Sequence, residues 1–146
     1  MAASNLIQGS RFSDARGKLN FFNGFKMKEI VRFYEIHPAN QDIIRAWQAH
    51  KEEKKWFYCN SGAFIVNLIK IDNFDKPSRE LIPERYILKA EDPQVLEVSG
   101  GYATGFKALG ENAKLLVFSN FDLQQSAGDD FRFPPDHWEA DWEVNT

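Results

Sequence analysis

Ile44-Arg45-Ala46-Trp47-Gln48-Ala49-His50-Lys51-Glu52-Glu53-Lys54-Lys55-Trp56-Phe57-Tyr58-Cys59-Asn60-Ser61-Gly62 reads as strand, charged turn and strand. Ile43 to Gln48 forms the first strand, Lys51 to Lys54 the turn, and Trp56 to Cys59 a short second strand closed by Asn60-Ser61-Gly62. Aromatic and apolar residues at this density favour a pleated, half-buried surface. Cationic and aromatic groups crowded into one short segment suit a flat, anionic ligand.

The neighbouring segments repeat the pattern. Ala63 to Ile71 is the most apolar run, and its β-branched content predicts a strand buried on both faces. A polar loop, Asp72 to Ile82, leads to another strand, Glu84 to Lys89. Upstream, Asp14-Ala15-Arg16-Gly17 is a turn, and Asn23-Gly24, a hairpin-type dipeptide, interrupts Lys18 to Phe25. Glu29 to Ile36 predicts a strand with Ile30, Arg32, Tyr34 and Ile36 on one side, and both of its faces are mixed. Downstream, Val95 to Val98 ends at Ser99-Gly100-Gly101, and Tyr102 to Leu109 with Lys114 to Asn120 predict a hairpin across Gly110 to Ala113. Short strands, frequent turns and no helical period point to an all-β sandwich or barrel.

The chain of 146 residues fits a single domain, 1–146, with 122–146 as a polar and aromatic tail packing on it. A formal charge of -3 argues against a general nucleic-acid binder. Cys59 is the lone cysteine, which excludes an internal disulfide, and its aromatic neighbours predict a buried thiol. The N-terminus lacks the basic and apolar regions of a signal peptide, and no apolar run reaches membrane-spanning length. A cytoplasmic protein without membrane contact is the expectation. There is no phosphate-cradling glycine loop, no paired cysteines, no His-Glu-x-x-His and no nucleophile elbow. The remaining chemistry belongs to strand side chains.

Five segments occur in a suggestive order: Asp14-x-Arg16-Gly17, Arg45 to Lys51, Lys55-Trp56-Phe57 with Gly62, Gly101-Tyr102-Ala103-Thr104-Gly105-Phe106, and Asp129-Asp130-Phe131-Arg132. Their order resembles the cupin-fold enzymes of dTDP-4-keto-6-deoxy sugars, the dTDP-4-dehydrorhamnose 3,5-epimerases and the dTDP-sugar 3,4-ketoisomerases. The resemblance spans Leu6 to Trp138. It implies a double-stranded β-helix (a cupin, or jelly roll), a homodimer, a pocket inside the barrel and a dTDP-sugar substrate.

The departures select within that family. The epimerases' Arg-Gly-x-His motif falls on Arg45, Ala46, Trp47 and Gln48, and glutamine takes no proton near neutral pH. Their catalytic tyrosine falls near Val117 or Phe118, and a further histidine falls on Thr104. The ketoisomerases' Arg-Gly-x-His-Ala-His-Lys motif fits better, because its second histidine is present as His50. The resemblance makes His50 the base and puts Tyr34 on a pocket-lining strand as a second catalytic candidate. Moving a keto group from C4 to C3 removes a proton at C3 and delivers one at C4, work that one imidazole performs if it reaches both carbons.

Arg45 or Lys55 then stabilises the enediolate and the diphosphate, while Trp47, Trp56 or Tyr102 stacks on thymine. Gln48, Arg32 and Arg16 complete the expected pocket. The positions where metal-binding cupins carry ligands are Gln48, His50, Lys55 and Thr104, so neither metal nor other cofactor is expected.

Blander roles compete. His37 and His137 read as turn and surface residues, Lys51 and Lys54 as solvated, and Trp138 and Trp142 as packing for the tail or a dimer contact. Asp14 to Gly17 is a turn, which the resemblance alone brings near the pocket. Three functions fit: a ketoisomerase, a catalytically inactive sugar-nucleotide-binding cupin, and an epimerase-like enzyme with a non-standard base. A partner subunit in polysaccharide synthesis is a weaker reading.

Overall fold

A computed structural model describes residues 3–144. The strands are β1 (Ser4–Gln8), β2 (Ser10–Asp14), β3 (Gly17–Phe21), β4 (Arg32–Ile36), β5 (Ile44–His50), β6 (Lys55–Ser61), β7 (Ala63–Lys70), β8 (Glu84–Lys89), β9 (Gln94–Val98), β10 (Tyr102–Ala108), β11 (Lys114–Ser119) and β12 (Phe131–Arg132). One helix, α1 (Leu123–Ala127), precedes β12. Two five-stranded antiparallel sheets, ordered β1-β9-β6-β11-β4 and β12-β5-β10-β7-β8, face each other, and β2 and β3 form a separate hairpin. From β4 to β12 the chain repeatedly crosses from one sheet to the other. The all-β jelly-roll expectation holds.

Alternation along the strands fills the space between the sheets. Phe57 and Cys59 of β6, Phe64, Val66 and Leu68 of β7, Tyr102 and Phe106 of β10, and Leu115 and Val117 of β11 form one buried cluster. Burial pushes the Cys59 thiol up to about 11. β7 is buried on both faces as predicted, because the C-terminal tail covers its outer side. There Trp47, Ala49, Ile69, Ala103 and Trp138 form a second cluster. The Trp138 ring meets Trp47 edge-on at 5.5 Å, and its indole N–H donates to the Ser78 carbonyl at 2.7 Å. A Cβ at Gly105 would stand 2.8 Å from the Trp142 ring, so only glycine lets the tail lie this close. The tail-packing role predicted for Trp138 and Trp142 is therefore met within the chain.

Several local expectations change. Residues 102–109 and 114–120 do not make a hairpin: β10 and β11 lie in opposite sheets, and β10 pairs with β5 and β7 while β11 pairs with β4 and β6. Two apolar strands joined by a short turn read alike whether they pair or cross the core. The strand expected from Glu29 begins at Arg32, and the tight hairpin turn is Ala15-Arg16 rather than Asn23-Gly24. Helix α1 was unanticipated. Its capping box, in which the Asp122 carboxylate accepts from the Gln125 N–H and the Gln125 side chain accepts from the Asp122 N–H, starts a helix too short to show a period.

Removing the Trp138 ring empties a fully buried site between sheet and tail. Trp138→Ala is expected to lower unfolding free energy by roughly 3–5 kcal/mol in a denaturant titration.

Candidate functional site

A bulge in β5 decides which of its side chains enter the barrel. Thr104 of β10 pairs with Gln48, but Phe106 pairs with Arg45, so Ala46 and Trp47 share the place opposite Gly105. Arg45 and Gln48 consequently both face inward, and Ala46 and Trp47 face the tail. Arg45 rests its guanidinium 5.9 Å from the Phe106 ring centroid, inside the barrel.

The inward groups surround a cavity of about 430 Å³, within the range of small-ligand sites. Tyr34 and Ile36 of β4, Arg45 and Gln48 of β5, Lys55 and Phe57 of β6, Thr104 and Phe106 of β10, and Arg132 of β12 line it. Lys55 is 4% exposed, donates to Gln48 Oε1 at 3.2 Å and stands 5.8 Å from the Tyr34 ring centroid. Gln48 Nε2 donates to Asp130 Oδ1 at 3.3 Å, and Arg132 Nε donates to the same carboxylate at 2.7 Å. Those contacts, the Arg132 bond foremost, hold the Asp130 carboxyl below its ordinary value. Among the described residues, neither Arg45 nor Lys55 has a carboxylate within ion-pairing distance. A cavity whose cations outnumber its anions suits an anionic ligand.

His50 follows Gln48 on the inward face of β5, one step beyond the cavity wall, and is 3% exposed. Its Nδ1 lies 2.6 Å from the Asp129 carbonyl oxygen and 3.4 Å from Glu53 Oε1. A carbonyl only accepts, so Nδ1 carries the hydrogen and the neutral ring holds its lone pair on Nε2. Among the described residues, nothing partners the buried Nε2. Burial and the Lys55 charge push the imidazole below its ordinary 6.5, against the upward pull of the Asp129 carbonyl and Glu53. A neutral imidazole with a free Nε2 is a proton acceptor.

The predicted site residues divide cleanly. His50, Tyr34, Arg45, Gln48 and Lys55 gather around one end of the barrel interior. Arg32 stands behind them, 5.2 Å from the Tyr34 ring centroid and 3.2 Å from Glu53 Oε2. Four expectations are corrected. Trp47 reaches the cavity rim, but the bulge turns its ring into the outer cluster, where its N–H donates to the Pro135 carbonyl at 3.2 Å. Trp56 faces out of the opposite sheet, since Lys55 and Phe57 take the inward positions; its N–H donates to Glu97 at 2.9 Å. Tyr102 is interior but away from the cavity, donating to Glu84 at 3.0 Å, with burial and that bond pushing its phenol up to about 12. Arg16 is exposed on the β2–β3 hairpin and pairs with Asp14 at 2.6 Å, far from this chain's own cavity.

Of the two positions weighed against the epimerase tyrosine, Val117 is interior and Phe118 packs outside against Phe25 and Phe33. Two polar residues at the site escaped the sequence reading. Arg132 follows an aspartate pair in the tail and reaches the cavity because β12 pairs with β5. Glu53 sits in a turn that reads as solvated, yet its side chain is fully buried. Nothing local marks it, since its partners Ser119 and Ser126 lie far along the chain.

By NMR, the His50 ring should titrate below 6.5, and Lys55→Met should raise its midpoint by removing a repelling charge. As pH falls, the unfolded chain binds this proton first. The group therefore destabilises the fold progressively from about pH 6.5 down to its lower folded value, which pH-dependent denaturant unfolding measures.

No protein-family model matches the chain. A 3,4-ketoisomerase from Thermoanaerobacterium thermosaccharolyticum, solved with TDP, superposes with a TM-score of 0.69 at 20% identity, over 92% of this chain and 90% of that one. A dTDP-4-dehydrorhamnose 3,5-epimerase from Bacillus anthracis, solved with TDP and PPi bound, gives a TM-score of 0.78 at 20% identity, over 98% and 86%. Among curated proteins, the "Probable low-salt glycan biosynthesis epimerase" of Haloferax volcanii is 28% identical over 92 residues, 58% of each chain. The match thus spans little more than half of that relative's length. The fold is the cupin fold shared by dTDP-sugar ketoisomerases and epimerases.

Proposed function

We propose that the protein is an isomerase of a dTDP-linked 4-keto-6-deoxyhexose, moving the carbonyl between C4 and C3 with His50 as its acid/base. The observation that carries this reading is the His50 ring: Nδ1 is committed to the Asp129 carbonyl, Nε2 is buried and without a partner among the described residues, and the ring feels the charge of Lys55, which lines the cavity. Nε2 takes the C3 proton, an enediol(ate) forms across C3 and C4, and the imidazolium, after exchanging with solvent, delivers a proton at C4. The electron pair released at C3 reduces the C4 carbonyl, the C3 hydroxyl becomes the new carbonyl, and no external oxidant is needed.

Lys55 supplies the positive charge for the developing enediolate oxygen. In this reading the sugar reaches Nε2 as Lys55 turns from Gln48, its hydrogen-bond partner, to the substrate oxygen. Tyr34 lies beside Lys55 and is placed to exchange a proton with the same oxygens. Arg45 and Arg132 take the diphosphate. The aromatic cavity walls Phe57 and Phe106 replace Trp47, Trp56 and Tyr102 as apolar contacts. Proton transfer of this kind needs no cofactor. We read the molecule as a cytoplasmic homodimer of single-domain chains in deoxysugar or surface-polysaccharide synthesis. No helix among the described residues is long and apolar enough to cross a membrane.

The inactive binding module is the second reading, favoured by Gln48, Thr104 and Val117 at positions where the related enzymes carry histidine, histidine and tyrosine. Incubation with dTDP-4-keto-6-deoxyglucose in deuterated water, followed by NMR, separates the readings. A 3-keto product with exchange confined to the C3–C4 unit is expected. Exchange at C3 and C5 would establish epimerase chemistry instead, and tight binding without exchange would leave a binding module. His50→Asn is expected to abolish turnover while nucleotide affinity stays within a few-fold.

A further inference from the structure

Glu53 is buried more completely than any requirement of a surface turn explains. Both carboxylate oxygens are occupied: Ser126 Oγ donates to Oε1 at 2.6 Å, Ser119 Oγ donates to Oε2 at 2.6 Å, and Arg32 reaches Oε2 at 3.2 Å. These donors come from α1, β11 and β4, so three separate elements hold one carboxylate. A buried carboxylate is costly unless so satisfied, and a turn could be anchored with far less. Its backbone is in fact anchored independently, by the Glu53 N–H donating to the Asp129 carboxylate at 2.8 Å. What the side chain adds is Oε1, 3.4 Å from His50 Nδ1.

We propose that Glu53 is the positioning residue of His50, fixing its ring with Nδ1–H toward the tail and stabilising the imidazolium that forms when Nε2 takes a proton. The catalytic part of this rests on the isomerase reading above; the ring orientation and charge coupling do not. Charged groups approach His50 from several sides. Lys55 of β6 opposes protonation, while Glu53 and Asp129 favour it, and Asp130 lies close enough to feel the ring's charge. Tyr102 pairs with His50 across β10, but its hydroxyl is engaged with Glu84. With burial and Lys55 both disfavouring the protonated ring, a fixed carboxylate on the Nδ1 side keeps Nε2 basic enough to accept a proton. Arg32, Ser119 and Ser126 hold that carboxylate in place, and Arg32 does so from the strand that also carries Tyr34.

The test is an NMR titration of the His50 ring in the full, ligand-free chain, with long-range nitrogen spectra to report the tautomer. Glu53→Gln preserves shape and removes charge. It is expected to lower the His50 midpoint by about one pH unit, and Glu53→Asp should recover part of that shift. Where the isomerase reading holds, Glu53→Gln also lowers kcat with little change in KM. An unchanged midpoint and tautomer in folded Glu53→Gln would overturn the proposal, whatever the exchange experiment with the sugar nucleotide gives. Should that variant not fold, Ser126→Ala serves. Losing the hydroxyl donor at Oε1 makes that oxygen a stronger partner for Nδ1–H, so the midpoint should rise, and no rise would count equally against the role.

Discussion

The Asp129 residue ties the working end of the barrel together. Its carboxylate accepts from the backbone N–H groups of Lys51, Glu52 and Glu53 at 2.8, 2.9 and 2.8 Å, and its carbonyl accepts from His50 Nδ1. Those N–H groups belong to a turn with no strand partner, and a buried unsatisfied donor costs on the order of 1–3 kcal/mol. One side chain therefore orders the β5–β6 turn, while its own backbone carbonyl shares the Nδ1 side of His50 with the Glu53 carboxylate. The tail, the turn and the candidate base form one hydrogen-bonded unit.

The second constraint is the exchange of faces at the bulge in β5. A regular strand would put Arg45 and Trp47 on one side and Ala46 and Gln48 on the other. Two residues opposite Gly105 shift that alternation, sending the cation and the amide into the cavity and the indole to the tail. The aromatic group that composition would give to a ligand thus belongs to the packing of the tail. The rings of Tyr34, Phe57 and Phe106 line the cavity beside the Trp47 rim.

Electrostatically, the site holds its charges unequally. Arg132 has Asp130 and Arg32 has Glu53, whereas Arg45 and Lys55 have no carboxylate partner among the described residues. The unneutralised pair faces the cavity, and the neutralised pair frames it. Such an arrangement gives the cavity a positive field that suits an anionic group. Burial first, and then the Lys55 charge, hold the His50 imidazole below its ordinary value, which keeps the ring in its proton-accepting form.

Strand-forming residues, turn signals and the Gln48-x-His50 pattern were legible in the chain because they are local: alternation and turn chemistry depend on neighbours a few residues apart. His50, Lys55 and Arg45 could be singled out because they fall in short motifs whose order resembles a known family. The sequence by itself determined that the chain would be all-β and that β7 would be buried on both faces, while whether His50 turns inward stayed open until the strands were closed. Tertiary structure decided which strands pair and which cross the core, since β10 and β11 read alike in either arrangement. It also decided which side of β5 the Trp47 ring takes, and that Glu53 and Asp129 meet at one imidazole while Ser119 and Ser126 hold the glutamate. Contacts between residues so distant along the chain leave no periodic trace in it; only the closing of two sheets and the folding back of the tail bring them together.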